Sequence, residues 1–153
     1  MSVLLDRDGI AALVPHGAAM CLWDELLAAD EHTVRLRTLR HRDAAHPLRR
    51  DGRLAALHLI EYGAQAMAVH GGWLARLGGG AGAKAGVLAA VRDVVLEVER
   101  IDDIDAALEG QARRLVANAG GWMYEFRLEA GGRLLASGRA SVIHATQGNS
   151  EEA

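Results

Sequence analysis

The stretch HPLRRDGRLAALHLIEYGAQ, residues 46–65, places a carboxylate inside an apolar helical pattern. From Leu54 onward the apolar positions follow one another at spacings of three, seven and four and define one face of an α-helix: Leu54, Leu57, Ala64 and Ala68. Glu61 lies on that same face. A buried charge is costly unless it is paired or neutralised, so the pattern predicts a carboxyl group that favours its protonated form and can donate a proton.

The helix predicted from this pattern covers residues 54–77. It ends at the glycine run 78–82, which has no regular structure of its own. That run lacks the Lys-Ser/Thr pair of a phosphate-binding loop and follows a helix instead of a strand, so we interpret it as a connector.

Before the long helix the chain is more mixed. Asp8 is the expected N-cap of a short helix over residues 9–14 that Pro15 ends, and alternation predicts a half-buried strand over residues 33–40. The polar residues 41–53 are expected to form a loop.

After the long helix the hydrophobic period changes to two. Four strands are predicted, over residues 87–100, 110–117, 122–129 and 133–143, the last three joined as consecutive hairpins. One long helix with an antiparallel sheet gives an α+β domain in which the sheet wraps the helix. We expect a single domain over residues 1–145 and a disordered tail over residues 146–153.

Composition excludes several classes of protein. The chain has 153 residues, of which half are hydrophobic, and no apolar run approaches the ~20 residues that cross a bilayer. No secretory signal is recognisable, and the single cysteine fits a reducing compartment, so a cytoplasmic location is expected. The net charge of −3 predicts neither a nucleic-acid nor a membrane partner.

Seven arginines nevertheless crowd into residues 35–53: Arg35, Arg37, Arg40, Arg42, Arg49, Arg50 and Arg53. They form either a solvated face of an arginine-rich chain or a docking patch for an acidic partner.

Two segments together resemble the hot-dog fold β-hydroxyacyl-acyl carrier protein dehydratases. VPHGAAMCLWDELL (14–27) is similar to that family's opening, in which a Pro-His pair precedes small residues, an apolar run and an Asp. His46 and the run LHLIEYGAQ (57–65) are similar to its catalytic segment. The whole stretch 41–71 resembles the divergent dehydratases of aryl polyene biosynthesis clusters.

The resemblance implies a role for each matching residue. His46 would take the α-proton of a 3-hydroxyacyl thioester, and Glu61 would protonate the departing hydroxyl, leaving a trans-2-enoyl thioester and water. The backbone N–H of Ala56 falls where the family polarises the thioester carbonyl. Gln65 either orients the Glu61 carboxylate from one turn beyond it or is a plain polar helix position.

The resemblance also implies the partners. The substrate would arrive on the phosphopantetheine arm of an acyl carrier protein, docked by Arg49, Arg50 and Arg53, with no other cofactor. The chain would form a homodimer, or a heterodimer with a related hot-dog subunit. In the homodimer each site would take His46 from one chain and Glu61 from the other, and we expect that dimer to be obligate.

Two alternatives remain open on the residues alone. A hot-dog acyl thioesterase would direct an activated water at the thioester carbonyl, and a partner subunit without activity would only bind the acyl carrier. His58 and Glu61 have the i, i+3 spacing of metal-binding helices, but no second ligand pair accompanies them, so we expect no metal. His16 is interpreted as a structural hydrogen-bonding residue at a turn.

Overall fold

The computed structural model describes residues 2–14, 20–78 and 86–144. The helices are α1 (Arg7–Ala11) and α2 (Leu59–Leu77), with 3-10 turns at Arg40–Arg42 and Ala56–His58. The strands are β1 (Glu25–Ala29), β2 (Thr33–Thr38), β3 (Gly86–Leu96), β4 (Leu108–Asn118), β5 (Gly121–Ala130) and β6 (Arg133–His144).

The strands form one antiparallel sheet in the order β1-β2-β4-β5-β6-β3. β4, β5 and β6 pair as consecutive hairpins, as predicted from their alternation and the glycines between them. Tyr124, Phe126 and Leu128 point to the same side of β5 and are buried. The expected α+β architecture, a sheet around one long helix, is confirmed.

α2 packs against one face of this sheet, and Leu59, Tyr62, Ala66 and Val69, which recur every three to four residues, are buried there. Close approach depends on glycine: a Cβ at Gly63 would stand 2.7 Å from the Phe126 ring. The small residues of α2 therefore let a sheet of aromatic and branched side chains reach the helix backbone.

The buried face of α2 is not the one predicted. Leu57 is 61% exposed, and Ala64 and Ala68 are only partly buried, so the face that carries Glu61 is turned away from the sheet. The stripe of residues 59, 62, 66 and 69 lies on nearly the opposite side of the helix, roughly 150° away at ~100° per residue, and makes the core contact.

Several element boundaries also differ from expectation. Asp6, not Asp8, is the N-cap of α1: its side chain accepts a hydrogen bond from the Gly9 N–H at 3.0 Å. α2 begins at Leu59 instead of residue 54, and β1 was not predicted at all. The end of α2 at Leu77, before Gly78, is confirmed.

The sheet has its edges at β1 and β3. The N-terminal segment covers part of β1 through a bridge between Leu5 and Leu26. Among the described strands β3 pairs only with β6, and Leu88, Val95 and Leu96 along it are exposed. An 11-residue edge with apolar side chains is a surface on which another strand can pair.

Within the described ranges, no helix combines the length and the apolar character needed to cross a membrane. His16, most of the 78–82 glycine run and the predicted tail lie outside the described residues.

Candidate active site

His46 is carried by a loop whose shape depends on Arg49. The Arg49 guanidinium donates to the carbonyl oxygens of Asp43, Gly52 and Arg42 at 2.9, 2.7 and 3.0 Å. These bonds join the two ends of the loop across its middle. Arg49 is therefore a structural clamp of this loop, a role that the sequence did not predict.

The loop turns sharply at Asp51 and Gly52. Both residues have positive φ, 54° and 76°, and Arg50 and Arg53 exchange backbone hydrogen bonds at 2.8 and 2.9 Å across them. This is the geometry of a type I′ turn, for which Asp-Gly is a favoured pair. The Arg50 and Arg53 side chains are both exposed beside the turn.

His46 is buried in this loop, with 7% of its surface exposed. The Leu48 backbone N–H donates to Nδ1 at 3.1 Å, and Nε2 lies 2.9 Å from the Tyr62 hydroxyl. Because a backbone N–H can only donate, Nδ1 is the acceptor and the neutral ring carries its proton on Nε2, from which it donates to Tyr62.

The surroundings of His46 disfavour its charged form. Burial lowers the pKa of His46, and the positive charges of Arg49 and Arg40 lower it further. The site therefore holds a neutral imidazole at the first turn of α2.

Tyr62 is the residue in contact with His46 that the sequence did not predict. Its hydroxyl meets His46, its carbonyl accepts from the Trp23 indole N–H at 3.0 Å, and its ring packs edge-on against Trp23. Burial raises the pKa of Tyr62, so the hydroxyl stays protonated. Tyr62 belongs to the stripe of residues 59, 62, 66 and 69, which has helical spacing. The sequence pattern placed the buried face of the helix elsewhere and so did not predict that Tyr62 is buried.

Glu61 is not buried in this chain, contrary to expectation. Its side chain is 50% exposed, and its Oε1 lies 2.6 Å from Nδ1 of His58, one turn earlier. The carboxylate is thus paired, on the face of α2 that the chain's own sheet leaves open.

Residues just before α2 are held by the segment 99–102. The Leu54 N–H donates to the buried Asp102 carboxylate at 2.8 Å, and Arg100 lowers the pKa of Asp102 as its ion-pair partner. The Ala56 N–H donates to the Glu99 carbonyl oxygen at 2.9 Å. Ala56 therefore has no free N–H for a thioester carbonyl, which corrects its predicted role.

The next N–H along the chain is a better candidate for that role. The Leu57 N–H finds no acceptor within the part of the chain that the structure describes, and the residue is exposed. It lies one turn before Glu61 on the same open face.

Gln65 does not orient Glu61. Its Oε1 accepts from the Leu22 N–H at 2.9 Å, and its Nε2 donates to the Met20 carbonyl oxygen. Both ends of the amide are used to attach α2 to the segment before β1, so Gln65 is a structural residue.

The arginine-rich region divides into paired and unpaired groups. Arg35, Arg37 and Arg42 are paired with Glu109, Glu25 and Asp105. Arg50 bonds only to the neighbouring carbonyl oxygens of Pro47 and Arg49, and Arg53 has no side-chain partner among the described residues. Arg40 lies 3.9 Å from Asp24, so among the described residues Arg50 and Arg53 are the two exposed arginines of this region that have no acidic partner.

A small pocket includes His46 in its lining, together with Arg7, Cys21, Leu22, Arg40, Asp43 and Pro47. Glu61 does not line it. Burial raises the pKa of the Cys21 thiol, which does not favour a reactive thiolate. No group of three or more metal-ligating side chains occurs within the described ranges.

The fold is shared with solved structures of a dehydratase heterocomplex and of a hypothetical thioesterase protein. Over 94% of this chain and 95% of the other, it superimposes with a TM-score of 0.82 and 23% identity on the dehydratase heterocomplex ApeI:P from Xenorhabdus doucetiae. A hypothetical thioesterase protein with coenzyme A from Streptococcus pneumoniae TIGR4 matches 80% of this chain and 86% of its own, with a TM-score of 0.60 and 12% identity. The chain has the hot-dog fold, as predicted.

The sequence also matches the family described as ApeP-like, ApeP dehydratase, over residues 9–152. The chain belongs to the ApeP-like dehydratase family, and the resemblance to aryl polyene dehydratases is confirmed. Among curated proteins, no sequence matches this chain.

Proposed function

We propose that this protein removes water from a 3-hydroxyacyl thioester to give a trans-2-enoyl thioester, in an aryl polyene or fatty-acid-like pathway. The observation that carries the proposal is a buried, neutral His46 held at the first turn of α2, the same turn that presents Glu61. Family membership supports dehydration over other reactions of the fold.

The chemistry explains why two titratable groups are needed. An α-proton is weakly acidic and hydroxide is a poor leaving group, so a base at C2 and an acid at the C3 oxygen lower both barriers together. We propose that His46 and Glu61 are both essential. His46→Ala and Glu61→Gln should each lower kcat by roughly a hundredfold or more, with the fold retained.

We propose an acyl carrier protein as the substrate's carrier, with its phosphopantetheine arm supplying the thioester and no resident cofactor. Arg50 and Arg53 are exposed a few residues from His46 and lack acidic partners among the described residues. Such charges raise association rates with an acidic surface. The lone cysteine supports a cytoplasmic setting.

The docking proposal is tested by charge reversal. Arg50→Glu with Arg53→Glu should raise KM for carrier-bound substrate and leave KM for a short pantetheine analogue unchanged. The matched control is Arg76→Glu, because the exposed Arg76 stands near the far end of α2, about 25 Å from the helix start at ~1.5 Å per residue. Equal effects of the double variant on both substrates would show that these arginines form a solvated face and do not dock the carrier protein.

We propose that the chain works as a dimer, with itself or with a related hot-dog subunit. The unpaired β3 edge with its exposed apolar side chains supports an association along that strand. The Xenorhabdus structure is described as a dehydratase heterocomplex, ApeI:P. Mixing His46→Ala with Glu61→Gln tests whether sites are shared: activity should return if each site uses both chains, and no recovery in confirmed heterodimers would mean a complete site in each chain.

The deciding experiment incubates the protein with a 3-hydroxyacyl carrier-protein thioester and follows the acyl group by mass spectrometry. Loss of water supports dehydration. Release of a free acid would make the protein a thioesterase, and an unchanged acyl group would make it a partner subunit without activity.

A further inference from the structure

Both ends of the loop that carries His46 are held by one short segment, residues 99–104, which lies between β3 and β4. At the first end, Nε2 of the fully buried His41 lies 2.8 Å from the Ile104 carbonyl oxygen. Because a carbonyl oxygen only accepts hydrogen bonds, this nitrogen carries the proton and donates it. The start of the loop is therefore fixed by a buried side chain.

The other end of the loop is held by a short antiparallel pairing. The Leu54 carbonyl oxygen accepts from the Ile101 N–H at 2.9 Å, and the Leu54 N–H donates to the Asp102 carboxylate at 2.8 Å. The Ala56 N–H donates to the Glu99 carbonyl oxygen at 2.9 Å. These three hydrogen bonds fix the backbone immediately before the first turn of α2.

Asp102 differs from the other members of this pairing because it contributes a buried side chain. It is the one buried acidic residue within the described ranges, with 8% of its surface exposed. Arg100 donates to both carboxylate oxygens and, as the ion-pair partner, lowers the pKa of Asp102, so the group stays charged at neutral pH. Hydrogen bonds to a charged acceptor are shorter and stronger than those to a neutral one, and this one is directed at the Leu54 N–H.

The backbone held in this way leads directly into the candidate site. Leu57, whose N–H has no acceptor among the described residues, comes three residues after Leu54, and Glu61 lies about one helical turn further on. His46 lies eight residues before Leu54 in the same loop and is held against the first turn of α2. A shift of residue 54 would therefore change how His46 and the first turn of α2 are placed relative to each other.

We propose that Asp102 is a positioning residue of the active site, which sets the place of the first turn of α2 relative to His46 through the Leu54 N–H. The inference rests on the proposed dehydratase function, with His46 as base and Glu61 as acid, and leaves both roles unchanged. A displacement of about 1 Å between reacting groups can lower a rate on the order of a hundredfold. Asp102 touches no reacting atom, so its effect falls on kcat through the geometry of the groups that do.

Two substitutions separate the reach of the side chain from its charge. Asp102→Asn keeps an acceptor oxygen at the same reach and removes the charge, so kcat should stay within about threefold of the wild type. Asp102→Glu keeps the charge and the partner Arg100 but adds a methylene in a buried place, so kcat should fall roughly tenfold to a hundredfold. Asp102→Ala removes the acceptor, should fall as far, and serves if the longer side chain prevents folding. KM for carrier-bound substrate should change by less than about threefold in all of them, because Arg50 and Arg53 are untouched.

Asp30→Ala is the matched control. The Asp30 carboxylate also accepts two backbone N–H groups, those of His32 and Thr33, each at 2.8 Å. Its carbonyl oxygen meets His70, which is about 17 Å from the start of α2 at ~1.5 Å per residue. At a temperature well below unfolding, kcat of this variant should stay within about threefold of the wild type. A loss equal to that of Asp102→Glu would show general destabilisation and overturn the proposal.

Hydrogen exchange tests the contact without any turnover. The N–H groups of Leu54 and Ala56 should be protected in the wild type and in Asp102→Asn. Both should exchange roughly tenfold faster in Asp102→Glu, while the amides of β4 and β5 keep their protection, which distinguishes local loosening from global unfolding. Unchanged protection of residues 54 and 56 in Asp102→Glu would overturn the proposal, because the side chain would then not hold this end of the loop.

The outcomes separate this inference from the proposed function. A residue needed only for its ion pair with Arg100 would give the opposite order, with Asp102→Glu active and Asp102→Asn impaired. That order, in a wild-type protein that dehydrates its substrate, overturns the positioning role and leaves the dehydratase standing. A wild-type protein that dehydrates no acyl thioester overturns both, whatever the exchange rates are.

Discussion

The Arg49 clamp should govern both the stability of the His46 loop and the protonation of His46. We choose Arg49→Gln because it removes the charge and keeps a polar side chain of similar reach. Arg53→Gln is the matched control, four residues along the same loop and without a side-chain partner among the described residues.

The size of the effect follows from three hydrogen bonds of 2.7 to 3.0 Å to backbone carbonyl oxygens. Hydrogen bonds from charged groups contribute about 1.5–3 kcal/mol each, and water can replace much of this at a partly exposed site, so we expect a total loss of roughly 2 kcal/mol. For a domain of this size that corresponds to a fall in Tm of about 4–8 °C. Arg53→Gln should stay within ~0.5 kcal/mol of the wild type.

The same substitution should raise the pKa of His46. The positive charge of Arg49 disfavours the imidazolium, and its removal leaves burial, the larger cause, in place. The pKa should therefore rise and still lie below the usual value of 6.5. Arg53→Gln should leave it unchanged.

Urea denaturation and calorimetry measure the first effect, and NMR titration of the imidazole Cε1–H resonances measures the second. Equal losses of stability in the two variants would show that the loop does not depend on the clamp. A His46 pKa that falls in Arg49→Gln would refute the electrostatic reasoning.

Two further predictions concern packing and pH. Gly63→Ala should destabilise the protein by roughly 1–3 kcal/mol because the new Cβ meets the Phe126 ring, while Gly78→Ala, whose nearest atoms are 3.6 Å away, should be neutral or slightly stabilising; equal urea midpoints would contradict this. Stability should fall as the pH drops from 7.5 to 5. Burial lowers the folded-state pKa of three histidines, His41, His46 and His70, below 6.5, so the unfolded chain binds protons at a higher pH than the folded chain does. Each contributes at most ~1.4 kcal/mol per pH unit, and a urea midpoint unchanged over that range would refute the assignment of buried neutral rings.

The sequence by itself determined the second half of the fold. β4, β5 and β6 alternate with period two and are separated by glycine-containing turns, so each strand and each hairpin is specified by residues close together in the chain. β1 escaped prediction because a bulge between Leu26 and Ala28 breaks its alternation and leaves Leu26 and Leu27 both buried. The local pattern that strand prediction needs is absent there.

The start of α2 was decided by contacts distant in sequence. Leu54 and Ala56 continue the apolar helical pattern, yet their N–H groups bond to Asp102 and Glu99, and this pairing holds the backbone extended up to the 3-10 turn. No property of residues 54–58 alone indicates that their N–H groups bond to residues so distant in the sequence. The role expected of the Ala56 N–H failed for the same reason.

The residues of the site also divide into those that the local sequence predicts and those that only the tertiary structure places. The sequence and its family resemblance placed His46 and Glu61 near the first turn of α2, because motif spacing along one chain is a local property. Helical periodicity states which residues share a face and does not state which face meets the sheet, and α2 has small residues on both sides. Only the tertiary structure therefore decided that Tyr62 is buried against His46, that Gln65 is committed to Met20 and Leu22, and that Glu61 is left on the open face with His58.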